Sequence, residues 1–299
     1  RQHGREIHHV RIYGGSHEAD YIVKKLERKG RAPKRIIIAD PEFPREKFNA
    51  LLNVANAHQI TISRLPNISE LKAGDRLHDI RPVAVEDILG REQAELDRPA
   101  MRRFVAGKRV LITGAGGSIG QELVRQVAAL EPSELVLYEQ SEFNLYAIDH
   151  ELAELAPGIR RIPVLGDVRD AEQLGRCFAA HRPEIVFHAA AIKHVPLSEQ
   201  NPDQAVLTNV LGGKQVADAC IAHGVSAMVQ ISTDKAVNPT SVMGASKRTA
   251  EIYSQMLAQD GAKTRFITVR FGNVLNSAGS VVPLFQKQIA RGGPVTVTH

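Results

Sequence analysis

The sequence predicts an α/β protein: a doubly wound parallel sheet, preceded by a partial second α/β unit. Two observations carry this. From Lys108 onward, short apolar runs alternate with segments of helical periodicity. Strands joined in this way by helices run parallel, with helices covering both faces of the sheet. A glycine-rich turn also falls between the first of these strands and the first of these helices.

Taken in order, residues 109–112 form a strand and residues 121–130 a helix. A second strand at 135–137 precedes a helix around 145–155, and a third at 162–165 precedes a helix over 171–181. Residues 185–187 are a fourth strand, followed by a long helix over 203–223. Strand 227–231, a helix over 243–259 and strand 266–269 complete the alternation. In the first hundred residues, strands at 10–12, 35–38 and 60–62 alternate with helices over 19–29 and 45–57. That is half of another doubly wound unit, without a glycine-rich nucleotide loop. Residues 66–107 are rich in charge and proline and lack sustained periodicity, which predicts a linker. The expected division is therefore 1–65, 66–107 and 108–299. A first residue other than Met and a strand-like end at 295–297 read as a piece of a longer polypeptide.

Composition narrows the function. The formal charge of +5 suits a diphosphate substrate, an anionic membrane surface or nucleic acid. The Lys and Arg residues are dispersed, however, with few aromatics among them, which argues against nucleic acid. No apolar stretch reaches the roughly 18 residues of a membrane helix, and Arg1 to His9 do not resemble a signal peptide. Two cysteines, Cys177 and Cys220, have no metal-ligand spacing and suggest a reducing compartment; no metal is expected.

The turn from Thr113 to Gly120 follows the first strand directly. Gly114 permits a tight turn, Gly117 lets backbone approach a pyrophosphate, and Gly120 lets helix and strand pack closely. Ser118 and Ile119 open the helix, whose amino end faces the phosphates. Glu139 ends the second strand 19 residues after Gly120. There it can accept hydrogen bonds from ribose hydroxyls and repel a 2′-phosphate, which favours NAD over NADP; the alternative is a solvated loop carboxylate. Asp167 and Val168, just beyond the third strand, are placed for the adenine. Ala189 and Ala190, after the fourth strand, either allow close approach of the cofactor or serve helix–sheet packing.

The fifth strand ends in Ser232-Thr233-Asp234-Lys235, which the carboxyl-end rule for open parallel sheets places over the cofactor crevice. Met243 and Lys247 follow, four residues apart on one helix face. At these residues the chain resembles the extended short-chain dehydrogenase/reductase family. Within it, the chain resembles the membrane-type (CapD-like) nucleoside-diphosphate-sugar 4,6-dehydratases. The matching stretches are Thr113 to Gly120, His188 to Pro196, Ser232 to Lys247 and Arg270 to Ser280, with Asp87 to Arg91 in the linker. The family's usual Tyr-x-x-x-Lys has methionine, Met243, in the tyrosine position; methionine exchanges no proton, and the membrane-type dehydratases are similar in carrying it.

The resemblance implies an extended, Rossmann-like fold with NAD as cofactor and a UDP-sugar, UDP-N-acetylglucosamine above all, as substrate. It implies oxidation at sugar C4, loss of the C5 proton with the C6 hydroxyl, and reduction at C6. Asp234 would be the acid and Lys235 the base, which requires a raised Asp234 pKa and a lowered Lys235 pKa. Thr233 would bind the 4-oxygen, and Lys247 the nicotinamide ribose. Lys193 would lie near the cofactor ribose or substrate, and Asn273 near the diphosphate. Lys247, Asp234 or water could accept the 4-hydroxyl proton. The resemblance further implies a membrane anchor ahead of Arg1, a place on the cytoplasmic face of the bacterial inner membrane, and a substrate lobe continuing past His299; it leaves a homo-oligomer open. The competing readings are a nucleotide-sugar 4-epimerase and a non-catalytic NAD-binding regulatory module.

Overall fold

The computed structural model describes residues 6–7, 10–11, 15–38, 40, 43–64, 81–82, 96–274 and 281–295. The chain divides into two compact units, Arg1–Glu95 and Leu96–His299. Most of the expected linker, the Asp87 to Arg91 match, residues 275–280 and the strand-like end past residue 295 lie outside the described residues.

In the first unit, β1 (Glu6–Ile7) and β2 (Val10–Arg11) pair antiparallel. Helix α1 (Ala19–Glu27), β3 (Arg35–Ile38), α2 (Arg45–Ala57) and β4 (Thr61–Arg64) follow. β3 and β4 are parallel, and β5 (Arg81–Pro82) adds antiparallel to β4. The helices cover this sheet through Val23, Ile38, Phe48, Leu51 and Ile62. The expected third parallel strand is thus corrected. Among the described residues β2 pairs only with β1, to which a two-residue connection joins it as a hairpin, and it lies outside the β3-β4-β5 sheet.

The second unit opens with α3 (Arg98–Val105), inside the stretch read as a linker. Asp97 caps it by accepting from Ala100 N at 2.9 Å, and Pro99 sits in the first turn. Val105 is buried and Phe104 packs on the main core, so these residues belong to the fold. Then come β6 (Arg109–Thr113), α4 (Ser118–Ala128), β7 (Glu134–Glu139), α5 (Glu142–Leu155), β8 (Arg161–Leu165), α6 (Ala171–His181) and β9 (Ile185–His188). Helices α7 (Val195–Gln200) and α8 (Pro202–Ala205) lead into a π-helical stretch, Val206–Gly212, continued by α9 (Gly213–Ala222). β10 (Ala227–Thr233), α10 (Val242–Gln259), β11 (Arg265–Phe271) and α11 (Val281–Ala290) complete the unit.

The strands form one six-stranded sheet in the order β8-β7-β6-β9-β10-β11, with every pairing parallel. The chain winds outward in both directions from β6 and β9, as in the doubly wound dinucleotide-binding fold. Side-chain alternation builds both layers. Val110, Ile112, Leu135 and Leu137 meet α3, α4 and α5 on one face. Leu111, Val136, Tyr138 and Met228 meet α6 and α9 on the other. Each such side chain, taken fully from water, stabilises the fold by about 1.5–3 kcal/mol. Among the described residues no helix is long and apolar enough to cross a membrane.

Candidate active site

The turn between β6 and α4 needs its glycines for separate steric reasons. Gly114 has φ +66°, and a β-carbon there would stand 2.6 Å from Ala190 N. A β-carbon on Gly120 would overlap the Gly114 carbonyl. Gly117 caps α4 with φ −74°, and its β-carbon would meet only the Gly114 oxygen, at 3.3 Å. Ser118 and Ile119 form the first turn of this helix, so its positive end opens on the same side as Gly117.

Gly114, Gly117, Glu139, Val168, Ala189 and Ala190 line one cleft beyond the carboxyl ends of the strands. Glu139 is buried at the end of β7 and accepts from Gly116 N and from Ser141 N, each at 3.0 Å. Its carboxylate therefore braces the glycine turn as well as lining the cleft. Gly166 and Val168, on either side of Asp167, also line the cleft. The Asp167 carboxylate itself is engaged by Arg169, whose N and Nε donate at 2.9 and 2.7 Å. Burial works to raise the Asp167 pKa, but the Arg169 hydrogen bonds outweigh it and hold the group below its usual value.

The second cluster stands on two adjacent strand ends. Thr233 ends β10, and Asp234–Ala236 form a 3-10 turn. Thr233 Oγ1 donates to Asp234 Oδ1 at 2.9 Å. Lys235 Nζ donates to the same Oδ1 at 3.2 Å and to Asn273 Oδ1 at 3.1 Å. The Asp234 and Lys235 side chains are 58% and 39% exposed. The raised Asp234 pKa expected for an acid is corrected here. Hydrogen bonds from Thr233 and Lys235 hold this carboxyl below its usual range, and water reaches it freely.

Helix α10 starts against this turn: Ser241 caps it by accepting from Gly244 N at 3.1 Å, and a side chain at Gly244 would collide with the Lys235 carbonyl. Met243 and Lys247 are both buried. Lys247 Nζ donates to the Ile231 carbonyl at 2.8 Å. Burial pulls the Lys247 amine down to about 8, against the opposing pull of Glu251. Lys193 is exposed on the loop after β9, beside the cleft-lining Ile192.

The structure thus gathers the expected residues into two groups, the cleft of Gly114, Gly117, Glu139, Val168, Ala189 and Ala190, and the cluster of Thr233, Asp234, Lys235 and Asn273. Several structural residues escaped the sequence reading. Gly116 is required because a β-carbon there would stand 2.5 Å from Asn144 Cβ. Asn209, in the π-helical stretch, accepts from Ile192 N at 2.9 Å and donates to Ile192 O and Ser246 Oγ at 3.0 and 2.9 Å. His188 is buried against Thr113 Oγ1 at 2.7 Å, and burial drives its pKa down to about 3. Glu251 was also missed, although its spacing of four from Lys247 puts both on one helical face.

A parallel sheet with this strand order, a glycine turn opening on a helix amino end and a buried acid at the end of the second strand define a dinucleotide-binding protein of the Rossmann class. The family model described as "polysaccharide biosynthesis protein" matches residues 110–299, and the chain belongs to that family. It is 43% identical over 292 residues to the capsular polysaccharide biosynthesis protein CapD of Staphylococcus aureus, covering 97% of this chain and 48% of that protein. It is 37% identical over 200 residues to a UDP-N-acetylglucosamine 4,6-dehydratase (inverting) of Campylobacter jejuni, covering 64% of this chain and 58% of that enzyme. The UDP-glucose 4-epimerase of Thermus thermophilus, solved in complex with NAD, superimposes with a TM-score of 0.52 at 27% identity, over 63% of this chain and 65% of that one. The chain spans about half the length of the first of these curated relatives.

Proposed function

We propose that this chain carries the cofactor-binding and acid–base core of an NAD-dependent 4,6-dehydratase acting on a UDP-sugar, with UDP-N-acetylglucosamine as the favoured substrate. The observation that carries the reading is the hydrogen-bonded Asp234–Lys235 pair beyond β10, beside a helix that has Met243 where an oxidoreductase of this class would hold a proton-exchanging phenol. The likeness to the UDP-N-acetylglucosamine 4,6-dehydratase of Campylobacter jejuni supports the substrate and the reaction.

The cleft fits a dinucleotide: Gly114 and Gly117 line it at the start of α4, where a pyrophosphate would lie, Gly120 lets the turn close on the helix, and Glu139 lines it where ribose hydroxyls would lie. NAD is favoured over NADP because a 2′-phosphate would approach the buried Glu139 carboxylate. When bound, the nicotinamide takes up and returns the two electrons exchanged at the sugar. Lys247 would hold the ribose next to it, Lys193 would lie near that ribose or the substrate, and Asn273 would approach the diphosphate. Thr233 hydrogen-bonds the sugar 4-oxygen.

One event can set both catalytic protonation states. In the open site the pair is ionic, with the proton on Lys235 Nζ, 3.2 Å from Asp234 Oδ1. A sugar that shuts out water raises the carboxyl pKa and lowers the amine pKa together. The proton then crosses to Asp234, leaving a neutral amine to take the C5 proton and a neutral acid to protonate the departing C6 hydroxyl. The ammonium returns a proton to C5 as hydride reaches C6, and the 4-hydroxyl proton, taken up by Lys247, Asp234 or water, restores the pair. By the same resemblance we assign the full-length protein a membrane anchor ahead of Arg1, with this unit on the cytoplasmic face of the inner membrane.

The test is incubation of the full-length protein with NAD and UDP-N-acetylglucosamine in deuterated water. The expected product has lost the 6-hydroxyl and carries deuterium at C5. A 4-epimer without deuterium, or tight NAD binding with an unchanged sugar, would overturn the proposal in favour of an epimerase or a binding module.

A further inference from the structure

Beneath the exposed Thr233–Lys235 cluster lies a carboxylate that the proposed chemistry does not use. Glu251, on α10, is fully buried, yet it is held as an anion at about 2. Burial alone would raise that value; hydrogen bonds from Arg270, Ser232 and Arg248 overcome it. Ser232 Oγ and Arg270 Nε donate to Oε1 at 2.5 and 2.8 Å. Arg248 Nη1 donates to Oε2 at 3.0 Å, and Arg270 Nη2 donates there as well.

The place of these bonds is what matters. Ser232 and Arg270 are register partners on the parallel strands β10 and β11, so one carboxylate ties both strand ends to α10. The next partners are Thr233 and Phe271. One residue further, a β-carbon on Gly272 would stand 3.3 Å from Asp234 Oδ2. One more step brings Lys235 Nζ to Asn273 Oδ1. The two loops thus leave the sheet side by side in a register that Glu251 pins at the Ser232–Arg270 rung. One helical turn earlier, Lys247 makes the neighbouring tie to Ile231, the residue before Ser232.

We infer that Glu251 is a positioning residue, whose ties to Ser232 and Arg270 set where Lys235 stands relative to Asp234, Asn273 and Lys247. The inference rests on the proposed function for its catalytic consequence and on the geometry for the placement.

The test uses the full-length protein. Glu251→Gln keeps the side chain's shape and removes its charge. We expect NAD affinity close to wild type and kcat lower by about a hundredfold, the cost of displacing reacting groups by an ångström or so, with KM changed much less. The double variant Glu251→Leu/Arg270→Met removes the buried carboxylate together with its partly exposed arginine partner, so that no buried charge is left unpaired and the apolar replacements keep the fold. If Glu251 merely held the fold together, Tm and kcat would recover together in the double variant, and the inference would be overturned. We expect Tm to recover and kcat to stay low. Should the double variant not fold, Ser232→Ala removes one tie and no charge; an unchanged kcat there overturns the inference equally. If the wild-type protein does not turn over UDP-N-acetylglucosamine, the proposed function falls. The placement is then read from the Lys235 amine titration, followed by NMR of the protein labelled with carbon-13 in its lysine side chains. Glu251→Gln shifts that titration if the inference holds, and leaves it in place if it does not.

Discussion

Replacing Gly120 by alanine puts a methyl group where the backbone of the preceding turn already stands. The new carbon would overlap the Gly114 carbonyl oxygen and lie 2.7 Å from its carbon and 2.9 Å from Ala115 Cα. All three atoms are backbone, so no flexible side chain can move aside. To reach ordinary carbon–carbon separation, about 3.5 Å, the turn must retreat by roughly 1 Å. Overpacking of this kind costs about 1–3 kcal/mol, which for a unit of this size lowers Tm by roughly 3–10 °C. The turn that retreats is the one proposed to hold the pyrophosphate, so NAD affinity should fall by about tenfold to a hundredfold, at 1.4 kcal/mol per decade. Gly117→Ala is the internal comparison. Its φ of −74° suits any residue and its β-carbon meets only one atom, at 3.3 Å. Tm should therefore hardly move, while a methyl on the cleft lining still weakens NAD. Calorimetric titration with NAD and thermal melts measure both quantities. If Gly120→Ala binds NAD like wild type, or Gly117→Ala leaves affinity untouched, the cleft is not the cofactor site and the steric reasoning fails.

Two further outcomes follow from single contacts. Glu139→Gln removes the charge that faces the cleft while keeping an acceptor for the Gly116 and Ser141 amides; titration with both dinucleotides should show NADP gaining on NAD by about tenfold or more, since opposed like charges cost several kcal/mol, and an unchanged ratio would remove Glu139 from the ribose site. In the first unit, His58 bridges Glu27 at 2.9 Å and Asp20 at 3.3 Å, Asp20 also pairing with Lys24, and these contacts, Glu27 foremost, raise the histidine above 6.5. A raised folded pKa stabilises fully below the unfolded value and loses that contribution as pH climbs through the folded value. Hydrogen-exchange protection of α1 and α2 should therefore weaken as pH rises past 6.5, and should lose this dependence in His58→Gln; an equal pH dependence in both proteins would refute the linkage.

Much of the second unit was legible in the residues themselves. Helix 171–181 was read with its observed limits, because its periodicity and flanks are local. Strands β10 and β11 run further than their apolar runs, to Thr233 and Phe271, because the parallel ladder between them continues through polar residues. The long helix read over 203–223 contains a π-helical stretch, and no periodicity marks the Asn209 clamp that accompanies it. Helix α3 was lost in the linker because its few apolar residues count only once Phe104 and Val105 meet the core.

The sequence alone determined the α/β alternation, the glycine turn and the quartet at the end of β10, because these depend on neighbours within a turn or a strand of the chain. Tertiary structure alone decided that Asp234 rests as a solvated carboxylate, that Lys247 is buried and its amine pulled down to about 8, and that Glu251 joins two strands to one helix. Charge state and clamping depend on the dielectric and the partners around a side chain, and for Lys247 and Glu251 the partners Ile231, Ser232 and Arg270 lie 16 to 19 positions away along the chain.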